Sequence, residues 1–166
     1  MLKILMIIFG TLSAATLPAN ADDCPRDFRS ESEIVDFVKH ASGESRVKVS
    51  VRDVQGNGSS DRIIGVSCGN RVCESHVFLQ QESGAFHYVG YGAFHQDAFA
   101  VLHSRGSHSL ELLVYWGLGA ADGMLLRYRS TGCGEFETVA KIDGTSGLFE
   151  FVQSFSSDPV PPTVIR

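Results

Sequence analysis

Val47-Lys48-Val49-Ser50-Val51-Arg52 alternates β-branched apolar and polar side chains with a period of two. That alternation marks a strand with one buried and one wet face. Working outward from it, further strands are expected at 62–66, 73–80, 85–90, 98–103, 109–116, 123–129 and 135–142. Turn-forming residues punctuate them: Gly56-Asn57-Gly58, Ser83-Gly84, Arg105-Gly106-Ser107, the stretch 117–123 and Thr131-Gly132. Two strands carry clean apolar faces, one of Leu110, Leu112, Val114 and Trp116, the other of Met124, Leu126 and Tyr128. Gly90-Tyr91-Gly92 reads as a break that divides the strands four and four. The expected fold is mainly β: two antiparallel four-stranded blade-like sheets packed face to face, with a single closed barrel as the alternative.

One N-terminal helix precedes the strands. Ser30 and Glu33 stand at capping-box spacing, Ile34, Phe37, Val38 and Ala41 share one helical face, and Gly43 stops it. A helix this short does not hold alone in water and needs a sheet to lie on. The tail with Pro159, Pro161 and Pro162 is expected to be extended.

Lys3, the apolar run 4–9 and Ala19-Asn20-Ala21 have the layout of a secretory signal peptide, with Pro18 breaking the helix before the cut. The expected organisation is a signal peptide over 1–21 and one β-rich domain over 22–166, in the periplasm or outside the cell, with no membrane insertion after cleavage. Cleavage removes Lys3 and no acid, so the net charge goes from −5 to −6. An acidic chain repels phosphate, which argues against nucleic acid and anionic membranes and suits a basic protein partner.

All four cysteines, Cys24, Cys68, Cys73 and Cys133, follow the expected cut. In an oxidising compartment they form two disulfides, with three pairings open. Cys68 and Cys73 flank the turn pair Gly69-Asn70, which favours a bridge across a tight hairpin and leaves Cys24 for Cys133. Zinc is disfavoured by the loose Cys-x4-Cys spacing without a following histidine pair.

No hydrolase signature is present. His40, His76, His87, His95, His103 and His108 form no i, i+2 or i, i+4 pair, and the Gly106–Ser109 stretch lacks the second glycine of a nucleophile elbow. The chain is therefore expected not to be an enzyme. The segment 104–109 is small, polar and set between two apolar strands, the composition of a loop that can enter a narrow cleft.

The stretch Asp53-Val54-Gln55-Gly56-Asn57-Gly58-Ser59-Ser60-Asp61 resembles the calcium loop of FG-GAP and VCBS-type propeller repeats. By that resemblance Asp53, Asn57 and Asp61 are candidate ligands, while Gln55 departs from the acid or amide expected at the third position. Calcium requires six or more oxygens. No other cofactor is expected, and a metal-free turn held by Asx hydrogen bonds is the alternative.

Taken as a layout of export signal, disulfides, blade-like sheets and a serine-bearing loop, the chain resembles the periplasmic immunity proteins that block type VI secreted peptidoglycan amidases. The resemblance implies an inhibitor that plugs the enzyme cleft, with Ser109, or Ser107 as second choice, hydrogen-bonding the catalytic histidine. His108 lies between them, and Arg105, Tyr91 and Phe94 are expected as flanking anchors. Inhibition of lysozyme is a close variant, and a calcium-stabilised structural or surface-binding module is the reading from another class.

Overall fold

A computed structural model describes residues 27–69, 72–102, 110–117, 123–132, 134–143, 152 and 163–165. Their elements are β1 (Asp27–Phe28), α1 (Glu31–Ser42), β2 (Val47–Arg52), β3 (Asp61–Gly69), β4 (Val72–Gln80) and β5 (Phe86–His95). They continue as β6 (Phe99–Leu102), β7 (Glu111–Gly117), β8 (Gly123–Arg129), β9 (Glu137–Asp143) and β10 (Thr163–Ile165). The chain is mainly β, with one helix and two antiparallel sheets, and each of the eight expected strands is present.

The strand count per sheet differs from four and four. The first sheet runs β1-β5-β4-β3-β2-β10 and the second β6-β7-β8-β9. The additions are β1 and β10, of two and three residues, at the edges of the first sheet. Elements that short carry no readable period, so only their pairing partners reveal them.

The Gly90-Tyr91-Gly92 break is also corrected, because β5 runs straight through it. Its register with β4 shifts there: Val77 faces Gly90 and Phe78 faces Tyr88, leaving Val89 as the extra residue of a bulge. Gly90 has φ +124°, and a Cβ at that position would lie 2.7 Å from the Gly134 carbonyl oxygen. The glycine thus bends the strand and lets the second sheet's chain approach. The step between sheets comes later, at a tight turn where the Ala98 amide donates to the His95 carbonyl at 3.0 Å.

Helix α1 forms as its ends dictate. The Glu33 amide donates to the Ser30 hydroxyl at 3.3 Å, and the Glu33 carboxylate reaches back to the Arg29 amide at 2.7 Å. Gly43, at φ 73°, closes the other end by donating to the Lys39 carbonyl at 2.9 Å. Ile34, Val35 and Val38 are buried on the first sheet among Val47, Val49, Ile64, Val66, Phe78 and Tyr88.

The opposite face of the first sheet packs on the second, around Ile63, Val77, Phe94, Phe99, Leu112, Val114 and Leu126. The layers are therefore helix, sheet, sheet. Because β2 lies in the middle layer, its polar side is buried too, contrary to a half-wet strand: Ser50 and Arg52 are enclosed. The Ser50 hydroxyl donates to Gln96 Oε1 at 3.2 Å, and Arg52 pairs with Asp97 at 3.4 Å.

Cys68 and Cys73 form a disulfide across the β3–β4 hairpin, with Cα atoms 4.1 Å apart. This is the pairing favoured by the flanking turn. Cys24 and Cys133 lie outside the described residues.

Candidate functional site

Of the residues expected to meet a partner, Arg105, Ser107, His108 and Ser109 lie outside the described residues. The strands on either side of them are paired neighbours, with Leu102 opposite Glu111. Phe94 is corrected: it is fully buried between the two sheets, against Phe99 at a ring distance of 5.9 Å, and meets no solvent. Its strand neighbour in the sequence pattern, Tyr91, is partly exposed and belongs to a pocket.

The calcium-like loop closes on itself. Asp61 is fully buried at the start of β3, and its carboxylate accepts from the amides of Val54, Gln55 and Gln80, the Gln55 side-chain amide and the Ser59 hydroxyl. The Asp53 carboxylate accepts from the amides of Asn57 and Gly58 at 3.0 and 2.9 Å, and Asn57 Oδ1 from the Ser59 amide at 2.9 Å. Each of the three candidate ligands thus turns its oxygens toward N–H or O–H donors, the geometry of an Asx-type turn. Among the described residues no group of three or more His, Cys, Asp or Glu converges as a metal site.

A different constellation comes together at the C-terminal end of α1. Glu74 and His76 stand two apart on β4 and so share one face, while Tyr88 and Tyr91 come from β5. The His76 ring lies between the tyrosines, 5.1 Å from Tyr91 and 5.9 Å from Tyr88, tilted by 22° and 23°. Its Nδ1 is 3.0 Å from the Tyr88 hydroxyl and its Nε2 is 3.2 Å from Glu74 Oε1.

The electrostatics select one proton arrangement. Burial lowers the His76 pKa, with hydrogen bonding and charge from Glu74 opposing, so the imidazole is neutral near pH 7. Burial raises the Tyr88 pKa, with Tyr91 and Glu74 adding to it, so the phenol keeps its proton. Tyr88 O–H therefore donates to His76 Nδ1, and His76 Nε2–H donates to the Glu74 carboxylate. Tyr91 is raised as well, by burial and then by Glu135 and Glu74.

Glu74, His76 and Tyr91 form one wall of a cavity of about 350 Å³, completed by Ala41 and Ser42 from α1 and by Ser67 from β3. Ser67 has φ +49°, where β3 is irregular against β4 between Val66 and Gly69, and its hydroxyl donates to Glu44 at 3.0 Å. His76 is only 3 % exposed, whereas the Glu74 side chain is 42 % exposed. Both nitrogens of the histidine are engaged from within, and the serines of the cavity are bonded to Val38 and Glu44. What the cavity offers a visitor is a carboxylate and a neutral phenol on a fixed aromatic stack.

Sequence reasoning named Tyr91 as an anchor but not Glu74 or His76 beside it, because it sought histidine pairs. The signal that could have found it is the Glu74-x-His76 repeat on a strand, with two tyrosines on the next strand. No family model, curated protein or solved structure matches the chain.

Proposed function

We propose that the chain is an exported protein that binds and blocks a cell-wall-degrading enzyme, as the layout-level resemblance to amidase immunity proteins implies. The observation that carries it is the pocket of Glu74, His76 and Tyr91. Its one lining carboxylate, Glu74, is held in place by His76 and half exposed, which suits contact with a basic protein partner. On either side of the proposed loop, Leu102 and Glu111 are paired on neighbouring antiparallel strands. Occupying the histidine of a cysteine amidase and excluding substrate stops catalysis with no chemistry by the inhibitor.

The test is a pull-down from periplasmic and secreted extracts with the disulfides intact. A stoichiometric complex with a peptidoglycan amidase supports the proposal; a lysozyme complex supports its close variant, and each is then assayed for inhibition. Ser109→Arg adds bulk and charge to the loop and is expected to abolish binding with an unchanged melting curve. Full affinity in that variant would remove the loop from the interface.

A further inference from the structure

The pocket at the end of α1 has a chemical preference of its own. Glu74 contributes a half-exposed carboxylate to the wall, and Tyr91 a phenol whose proton is held by burial first, with Glu135 and Glu74 adding to it. Glu44 stands at the rim, bonded to Ser67. Among the described residues, no lysine or arginine lines the cavity. The last-turn Lys39 lines a separate depression of α1, beside Glu31 and Asp36, and His40 is exposed. The helix also ends here, and the carbonyl end of a helix favours a positive charge within its last turn.

Glu74 is already fixed in place. Its Oε1 accepts from His76, whose other nitrogen is fixed by Tyr88, so the carboxylate is held by a chain of bonds reaching into the core. A pre-set carboxylate loses little freedom when it binds, which is what makes a small site selective. The cavity volume of about 350 Å³ admits one long side chain and excludes a folded element.

We infer that this pocket takes a single cationic side chain of the partner protein, an ammonium at the end of an aliphatic stem, bound between Glu74 and Tyr91. The inference rests on the reading of the pocket as a partner-recognition surface. It goes further by naming the group recognised. The stem lies along Ala41 and the ring of Tyr91, and the ammonium donates to the Glu74 carboxylate and the Tyr91 hydroxyl oxygen.

The test titrates N-acetyl-L-lysine methylamide into isotope-labelled mature protein, following the His76 and Tyr91 ring resonances by NMR. The uncharged norleucine analogue, with the same stem, serves as control. The expected result is a saturable shift with the lysine probe alone, weakened about tenfold in Glu74→Gln, where the His76 acceptor is kept but the charge is lost. Equal shifts from both probes, or none from either, overturn the inference. So does undiminished lysine binding in Glu74→Gln with its melting temperature unchanged. The titration needs no enzyme partner, so its failure and a failed pull-down are separate results.

Discussion

His76 couples the pocket to pH. In the unfolded chain a histidine gains its proton near the ordinary value of 6.5, while in the fold burial holds that value lower. Below pH 6.5 the unfolded state therefore binds more protons, and stability falls as pH drops from there toward the folded value. Above pH 6.5 both states are neutral and the effect vanishes. His76→Gln keeps a polar side chain without the titration. Urea unfolding of both proteins between pH 7.5 and about 5 is expected to show a steeper loss in the parent chain. Parallel slopes would mean that His76 is protonated in the fold. At the same scale, five donors converge on the buried Asp61 carboxylate and close the calcium-like loop on itself.

Strand β5 carries the curvature on which the pocket depends. Gly90 sits one residue before Tyr91, whose amide donates to the Gly134 carbonyl at 2.9 Å while its own carbonyl accepts from Phe136 at 2.7 Å. These bonds tie the second sheet's chain to the bulge and bring Glu135 beside the phenol. A side chain at residue 90 would need both a positive φ and space already filled by Gly134 and the Phe136 ring. Gly90→Ala is thus expected to destabilise by about 2–4 kcal/mol, from backbone strain and overpacking together. It should also shift the Tyr91 ring resonances. A loss below about 0.5 kcal/mol would show that the bulge absorbs a methyl group.

The middle sheet packs on α1 with one face and on the second sheet with the other, so the molecule is expected to unfold as one unit. Phe94 joins the first sheet to the second and is fully enclosed, which leaves it no role at a surface. Phe94→Ala opens a cavity between the sheets and is expected to cost about 3–5 kcal/mol. Because the sheets have a common core, fluorescence of Trp116 in the second sheet and far-ultraviolet dichroism should move together. Two separated transitions would show sheets that fold independently. The disulfide adds stability locally: the Cys68–Cys73 bridge closes a short loop, for which loop entropy predicts only about 2 kcal/mol.

Local signals were legible in the sequence because neighbours along the chain produce them. The period of two at Val47–Arg52, the Ser30 and Gly43 ends of α1 and the hairpin spacing of Cys68 and Cys73 depend on backbone geometry within a few residues. Eight strands, one helix and two antiparallel sheets follow from signals of that kind. Register and layering are not local. The bulge that turned an apparent glycine break into a continuous strand exists only against β4, and β10 only against β2. Ser50 and Arg52 looked like a wet face until a second sheet covered them. The stacking of Tyr91, His76 and Tyr88 beside Glu74 likewise arises where β4 and β5 meet under the end of α1. The alternating pattern says which side of a strand avoids water; packing across strands distant in sequence decides what each polar side chain meets there.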